Sequence, residues 1–442
     1  MPELSLPAPV ETALRRLRDA GFSAYIVGGC VRDALLGKTP SDYDITTSAL
    51  PEETATVFAG ERVIETGVRH GTVTVLLGGM PLEITAFRVD GAYSDGRHPD
   101  AVSFTRSLRE DLARRDFTMN AIAYHPEEGL VDCFGGQADI AAGIIRCVGT
   151  PETRFKEDAL RILRAVRFSS VLGFSVEAAT AQAAHACRAL LTQVSAERVA
   201  AELQKLLCGK HVRAVLLAYI DILGVPVPEL LPMRSFAQHN IHHIYDVWEH
   251  TAAAVEAVPP EPVLRLAALL HDIGKPGCFT LDAQNVGHFY GHAARSEEIT
   301  QTVLRRLRLD NATRARVALL VREHDSLIEA TPRAVRRALS RLTPPVFSQL
   351  LALKRADNLA QNPAYRSRQT EYDRLEALAG EILAQADCLT LRDLAVRGGD
   401  LLALGIPAGP AVGAALNRLL DAVLSGAVPN ERAALLAYLR RS

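Results

Sequence analysis

Paired cysteines are the first thing this chain lacks. Its seven cysteines, at positions 30, 133, 147, 187, 208, 278 and 388, are scattered and form no CxxC pair. That excludes a zinc knuckle and a disulfide framework, and leaves free thiols in a reducing cytoplasm as the expected setting. A strong charge of either sign is also missing. The formal net charge of −2 over 442 residues gives no global pull on nucleic acid, so local arginine clusters would have to supply one. No run approaches the roughly 20 apolar residues of a membrane span. The N-terminal stretch MPELSLPAPVETALRRLRDAG has no long apolar core, so no secretion signal is expected. Neither GxGxxG nor GxxxxGK[ST] occurs, which excludes the dinucleotide fingerprint and the Walker loop. Internal repeats and low-complexity tracts are absent too.

What remains is a globular composition, 48% hydrophobic and 23% charged, at a length that suggests about three domains. Residues 10–20 alternate at helical spacing and stop at Gly21. AYIVGG then reads as a buried strand, CVRDALLG as the start of a helix and DYDITT as a second strand. GTVTVLL and PLEITAFRV read as adjoining strands. From about 150 to 230 the pattern is helical, broken by Pro226, Pro228 and Pro232. QHNIHHIYDVWEHT opens a histidine-rich helical region that runs to about 365, and 388–442 carries its own Gly/Pro punctuation and helical runs.

Between 24 and 49 the chain reads AYIVGGCVRDALLGKTPSDYDITTSA. Two aspartates at i and i+2 on a strand project from one face. Carboxylates side by side repel unless a cation lies between them, so Asp42 and Asp44 suggest a hard divalent ion such as Mg²⁺. The pair Gly28-Gly29, between strand and helix, would let backbone amides approach a phosphate.

GGCVRDALLG followed by DYDIT resembles the nucleotidyltransferase signature of the class II tRNA nucleotidyltransferases, the bacterial CCA-adding enzymes and poly(A) polymerases of the polymerase-β superfamily. The resemblance continues in order through ETGVRHGTVTVLLGGMPLEITAFRVDG (65–91), DLARRDFTMNAIAY (111–124), LVDCFGGQADIAAGIIRCVG (130–149) and RFKEDALRILRAVRF (154–168). It implies an α+β fold: a small polymerase-β-like mixed-sheet head (1–145), then a mostly helical body. The body would hold a nucleotide-selecting neck (146–232), an HD domain (233–365) and a C-terminal tRNA-binding region (366–442). By resemblance Asp42 and Asp44 hold two Mg²⁺ ions, and Glu83 is the third catalytic carboxylate. Gly28, Gly29, Arg32 and Arg115 contact the triphosphate, and Asp116 and Asn120 the ribose or phosphate.

Projected as one helix at about 100° per residue, Glu157, Asp158, Arg161 and Arg164 share an arc of roughly 120° and Ala159, Ile162, Leu163 and Val166 face the core. A salt-bridged surface is the ordinary reading of such an arc. In this family it resembles the helix that serves as a protein template. Cytosine and adenine each pair an exocyclic amino donor with a ring-nitrogen acceptor. A carboxylate and a guanidinium, Asp158 and Arg161, complement both. Uracil and guanine would leave these groups unpaired, which selects strongly. Arg164 is a candidate assistant.

LRLAALLHDIGKPG reads as an apolar helix ending in His271-Asp272, with His243 and His250 upstream on one expected helical face and His292, His324 and Asp357 downstream. This set resembles the HD superfamily of metal-dependent phosphohydrolases. The resemblance implies one metal on His250, His271, Asp272 and Asp357, and a second held by His292 and His324. Imidazole with carboxylate suits Mn²⁺, Ni²⁺ or Co²⁺.

The expected activity is template-independent addition of CMP, CMP and AMP to the tRNA 3′ end from CTP and ATP, with no membrane involvement. The rivals are a poly(A) polymerase, a CC-only or an A-only enzyme, and an HD phosphohydrolase whose head merely binds nucleotide. TGVRHGTVTV and the 391–432 tail resemble the CCA-adding version. The loop RVDGAYSDGRHPDAVSF (88–104), which CC-only forms typically lack, argues for A addition. An A-only enzyme stays open, because its motifs resemble these.

Overall fold

Apolar residues at helical spacing near the N-terminus bury one face: helix α1, Ala8–Asp19, hides Val10, Ala13, Leu14 and Leu17. The structure is a computed structural model that describes residues 4–65, 67–68, 71–91, 102–385 and 387–441. Most of the 88–104 loop, residues 92–101, lies outside the described residues. The chain divides into two compact units, Met1–Pro228 and Glu229–Ser442.

In the first unit α1 is followed by β1 (Ala24–Val27), α2 (Gly29–Leu35), β2 (Asp44–Thr47), α3 (Pro51–Val57), β3 (Arg62–Ile64), β4 (Thr72–Leu77) and β5 (Met80–Ala86). A short ribbon, β6 (Arg88–Asp90) with β7 (Val102–Phe104), then α4 (Leu108–Ala113), β8 (Ile122–His125) and β9 (Gly129–Asp132) complete the head. Seven strands make one mixed sheet in the order β3-β4-β5-β2-β1-β8-β9. β1 is fully buried, as its unbroken apolar run requires. β4 alternates, with Val73, Val75 and Leu77 turned to the core and the residues between them on the other face. A cluster of Tyr25, Val27, Phe87, Leu112, Ala121, Ala123 and Val148 seals the sheet against α4.

After the head come α5 (Gly136–Ala142), β10 (Ile144–Ile145), α6 (Pro151–Glu157), α7 (Leu160–Leu172), β11 (Ser175–Val176) and helices α8 (Ala178–Cys187), α9 (Ala196–Leu207), α10 (Val212–Ala218) and α11 (Ile220–Leu223). Among the described residues the second unit is helical apart from a two-stranded hairpin, β12 (Thr280–Leu281) with β13 (Gly287–His288). Its helices are α12 (Val247–Ala257), α13 (Pro262–Leu270), α14 (His292–Arg306), α15 (Asn311–Glu323), α16 (Pro332–Leu342), α17 (Pro344–Leu359), α18 (Gln369–Ala384), α19 (Gly398–Ala403), α20 (Pro410–Leu424) and α21 (Arg432–Arg441). Among the described residues no helix is long and apolar enough to cross a membrane.

Three local expectations are corrected. Asp42 is not on the strand with Asp44: β2 pairs with β1 only from Val27↔Asp44 onward, because at Gly28 (φ 84°, ψ −129°) the partner chain turns away. Asp158 does not sit inside one helix. It is extended (φ −142°, ψ 103°) between α6 and α7, and its Oδ1 accepts from the Leu160 N–H at 3.0 Å, the local competition by which aspartate ends helices. His243 precedes α12, which starts at its N-cap Asp246 with a capping box to Glu249.

Candidate functional sites

The head brings together three carboxylates that are far apart in sequence. β2 and β5 run parallel, and Asp44 stands in register with Glu83, so both side chains leave the same face of the sheet. Asp42, exposed two residues earlier, accepts from Ser41 Oγ at 3.1 Å. Burial raises the pKa of Asp44, and the nearby charges of Glu83 and, less strongly, Asp42 add to the rise against the opposing pull of Arg115. Crowded hard oxygens that disfavour one another's charge are the donor set a divalent cation fits. Among the described residues, the groups that gather three ligand atoms within 4.8 Å all lie in the second unit; the head's carboxylates are set wider.

Beside them the Gly28 backbone is pressed against Arg115: a Cβ there would stand 3.2 Å from Arg115 Nη1, and the left-handed φ already demands glycine. Gly29 opens α2, where a Cβ would meet Arg32 Nη2 at 3.7 Å. From Arg32 a polar chain crosses the site. Its Nη1 donates to Asn120 Oδ1 at 2.8 Å, and Asn120 Nδ2 donates to Asp116 Oδ1 at 3.0 Å. Asp116 Oδ2 accepts from Arg164 Nε and Nη2 at 2.8 and 2.6 Å. Burial alone would raise the pKa of Asp116, but Arg164 and Asn120 hold it down at about 2. The motif arginine, aspartate and asparagine are thus joined to an arginine of α7, some 48 residues on.

Asp158 and Arg161 are joined through the backbone, the Arg161 N–H donating to the Asp158 carbonyl at 3.0 Å, while their side chains take other partners. Asp158 Oδ2 takes Arg198 Nη2 from α9 at 2.8 Å, a partner that no motif announced. Arg161 is 9% exposed. It donates from Nη1 to Glu157 Oε2 at 2.6 Å and to the Arg154 carbonyl at 3.1 Å, and from Nη2 to the Arg114 carbonyl at 3.0 Å. Ala159, Ile162, Leu163 and Val166 are buried as projected.

In the second unit the six histidines and aspartates expected from sequence converge. His250 Nε2 lies 2.9 Å from Asp357 Oδ1 and 3.4 Å from Asp272 Oδ2. His271 Nε2 is 3.1 Å from Asp272 Oδ2. His292 and His324 approach Asp272 Oδ1 at 3.5 and 3.7 Å. The Nδ1 atoms of His250, His271, His292 and His324 face the carbonyls of Ala360, Ala268, Phe289 and Val321 at 3.3, 2.8, 2.9 and 2.6 Å. A carbonyl only accepts, so each Nδ1 carries its proton and each Nε2 is turned inward, His292 and His324 meeting Nε2 to Nε2 at 3.1 Å, the orientation of metal-ligating imidazoles. Close as they are, Nε2 of His250 and His271 and Oδ2 of Asp272 make no hydrogen bond of acceptable geometry. His250, His271 and Asp272 form one candidate ligand group and Asp272, His292 and His324 another. Burial opposes charge on Asp272 and Asp357, and the imidazoles, with Lys275 at 2.7 Å from Asp272, hold both carboxyls below the usual range. A cavity of about 310 Å³ opens onto the cluster, lined by Lys275, His243, Tyr290 and Asp325 among others. Burial, then Lys275, presses the pKa of His243 down to about 3. Lys275 was not singled out in the sequence, although it lies four residues past His271.

Comparison with known proteins adds a consistent set of likenesses. Residues 24–146 match the family described as "Poly A polymerase head domain". Residues 173–230 match the family described as "Probable RNA and SrmB- binding site of polymerase A", and residues 289–439 the one described as "tRNA nucleotidyltransferase domain 2 putative". The chain is 35% identical to a CCA-adding enzyme of Lactiplantibacillus plantarum, over 98% of this chain and 97% of that one. It is 36% identical to one from Geobacillus thermodenitrificans, over 96% and 95%. Among solved structures it resembles the Bacillus stearothermophilus CCA-adding enzyme in complex with CTP, with a TM-score of 0.74 and 32% identity across 99% of this chain and 98% of that one. The Thermotoga maritima CCA-adding enzyme complexed with tRNA-CCA shares the fold, with a TM-score of 0.61 at 19% identity over 99% and 96%.

Proposed function

The chain belongs to the CCA-adding enzymes, a family of tRNA nucleotidyltransferases, and from that premise we propose how its residues carry out the reaction. It adds CMP, CMP and AMP to the 3′ end of tRNA from CTP and ATP, releasing pyrophosphate at each step, with no nucleic-acid template. Relatives of that activity align along nearly the whole chain, which favours full CCA addition over the A-only, CC-only, poly(A) and nucleotide-binding rivals. The observation that carries the mechanism is the register pairing of Asp44 with Glu83 beside Asp42.

Asp42, Asp44 and Glu83 would hold two Mg²⁺ ions; bound there, the ions lower the pKa of the RNA 3′-hydroxyl and steady the triphosphate and the leaving pyrophosphate. Gly28 and Gly29 leave the backbone bare toward the phosphates, and Arg115 and Arg32 supply the positive charge facing them. Asp116 and Asn120 contact the ribose or phosphates and are kept in place by Arg164 and Arg32. Asp158 and Arg161 read the base edge, Asp158 accepting from the exocyclic amine and Arg161 donating to the ring nitrogen. To do so Asp158 exchanges its bond with Arg198, and Arg161 its bond with Glu157, for bonds to the base. The head (1–145) thus holds the chemistry, the neck (146–232) the choice of base, and the C-terminal region (366–442) grips tRNA. A cytoplasmic location is proposed with it, from the tRNA substrate and the seven free thiols.

For 233–365 we propose an HD-type metal site on His250, His271, Asp272 and Asp357, with His292 and His324 for a second ion. Mn²⁺, Ni²⁺ or Co²⁺ suit these donors, and phosphoester hydrolysis is the chemistry such a site supports. The inward-facing Nε2 atoms support this reading.

The deciding experiment supplies tRNA ending at the discriminator base, tRNA-C and tRNA-CC with one labelled nucleotide at a time. C, C and A are expected in that order. Asp42→Ala or Asp44→Ala should abolish both incorporations and leave tRNA binding intact; normal incorporation by either variant would remove the metal assignment.

A further inference from the structure

Asp111 lies outside every role given so far, yet its carboxylate is wholly buried and is bonded on all sides. Oδ1 accepts from Arg114 Nε and Nη2 at 2.9 and 2.8 Å, and from the Arg88 backbone N–H at 3.4 Å. Oδ2 accepts from Thr46 Oγ1 at 3.0 Å and from Arg115 Nη2 at 3.4 Å. Each partner belongs to a different working part. Thr46 is two residues beyond Asp44 on β2 and shares its face. Arg88 opens the ribbon that follows the Glu83 strand. Arg115 presses on Gly28. The Arg114 carbonyl holds Arg161 Nη2 at 3.0 Å, and the Ala113 carbonyl next to it holds Arg154 Nη1 at 3.3 Å.

The geometry points to Asp111 as a positioning residue: it ties the end of α4 to β2, so that Arg115 is set against the triphosphate wall and Arg161 toward the base by one buried anchor. A buried carboxylate fully satisfied in this way holds its partners in one arrangement. Burial works against the charge of Asp111, and Arg114 and Arg115 overcome it, holding the carboxyl below its ordinary range. It follows that binding of the nucleotide and choice of its base are set together, through a group that touches neither.

The inference rests on the nucleotidyl-transfer reading above, and wild-type protein run in parallel separates the two. Wild type that adds neither C nor A would overturn that reading. Wild type that adds both, beside variants with wild-type constants, would overturn only the role of Asp111. Asp111→Asn keeps the shape and removes the charge. With tRNA-C and tRNA-CC as substrates, KM for CTP and ATP should rise about tenfold, and preference over UTP and GTP should fall about tenfold. kcat should change by less than about threefold. Thr46→Val, which deletes one bond to the same carboxylate, should shift KM and base preference in the same direction by a smaller factor. A merely structural Asp111 would lower Tm and leave KM and base preference at wild-type values while the variant is folded, and that result overturns the proposal. Should Asp111→Asn fail to fold, Thr46→Val decides: unchanged KM and preference overturn it.

Discussion

Asp116 shows how much one carboxylate can carry. It stands at about pH 2 where an unstrained aspartate titrates near 3.8. Its ionised form is therefore favoured by folding, and the sign of the effect is fixed. The stabilisation is complete above the unfolded value and is lost as pH falls from about 4 toward about 2, amounting to roughly 2 kcal/mol. Urea denaturation of wild type and Asp116→Asn should show a stability gap that is constant from pH 7 to about 5 and has shrunk by about half of that amount, roughly 1 kcal/mol, by pH 3. A gap that does not change with pH would show that Arg164 does not depend on the charge of Asp116. At this scale the sequence was largely legible. Asp42 and Asp44 were singled out by residue type and spacing, and Arg115 and Asn120 by resemblance to the family motif. Arg198 and Asp111 were not, since an arginine on a helix and an acid beside RR look like ordinary solvated charge until the fold closes over them.

Among the elements, the break between α6 and α7 matters most. Helical periodicity runs through it unbroken, with Ala159, Ile162, Leu163 and Val166 all buried, so no apolar pattern could have revealed it. The start of α12 was different: Asp246 and Glu249 spell a capping box, and that signal outranks the seven-residue spacing of His243 and His250. At the break Asp158 has two duties, capping the Leu160 N–H and presenting a carboxylate. They can be separated. Asp158→Ala should lose about 1 kcal/mol of stability and relax the rejection of UTP and GTP. Asp158→Asn should keep most of the stability, since an amide oxygen caps as well, while base choice still changes. Misincorporation assays beside thermal melts would check both, and equal base choice in all three proteins would count against the reading role.

For the whole molecule, the two units carry separate candidate metal chemistries, oxygen donors in the first and imidazoles with carboxylates in the second. His271→Ala should therefore abolish Mn²⁺, Ni²⁺ or Co²⁺ binding measured by calorimetry, and also the rise in Tm that such an ion gives, about 2.7 kcal/mol of stabilisation at a hundredfold excess over Kd. CMP and AMP incorporation should continue unchanged. Loss of incorporation in His271→Ala would join the two sites functionally. The mixed head and helical body were readable from patterning, whereas the pairing of strands was not: Asp44 and Glu83 are 39 residues apart, and hydrogen bonds at that separation leave no local trace.

That pairing also governs how the head can vary in length. Sliding β5 by one residue would set Leu82 or Ile84 opposite Asp44, and hydrocarbon would replace the third carboxylate while the backbone ladder stayed whole. A single insertion or deletion inside β5 would thus also turn Leu82 and Ile84 out of the core and Glu83 into it, costing the head stability as well as its third carboxylate. The segment between β2 and β5 can gain or lose residues without moving the pair, so length drift in such chains is confined to the connections, and stability and the reaction together screen out the rest.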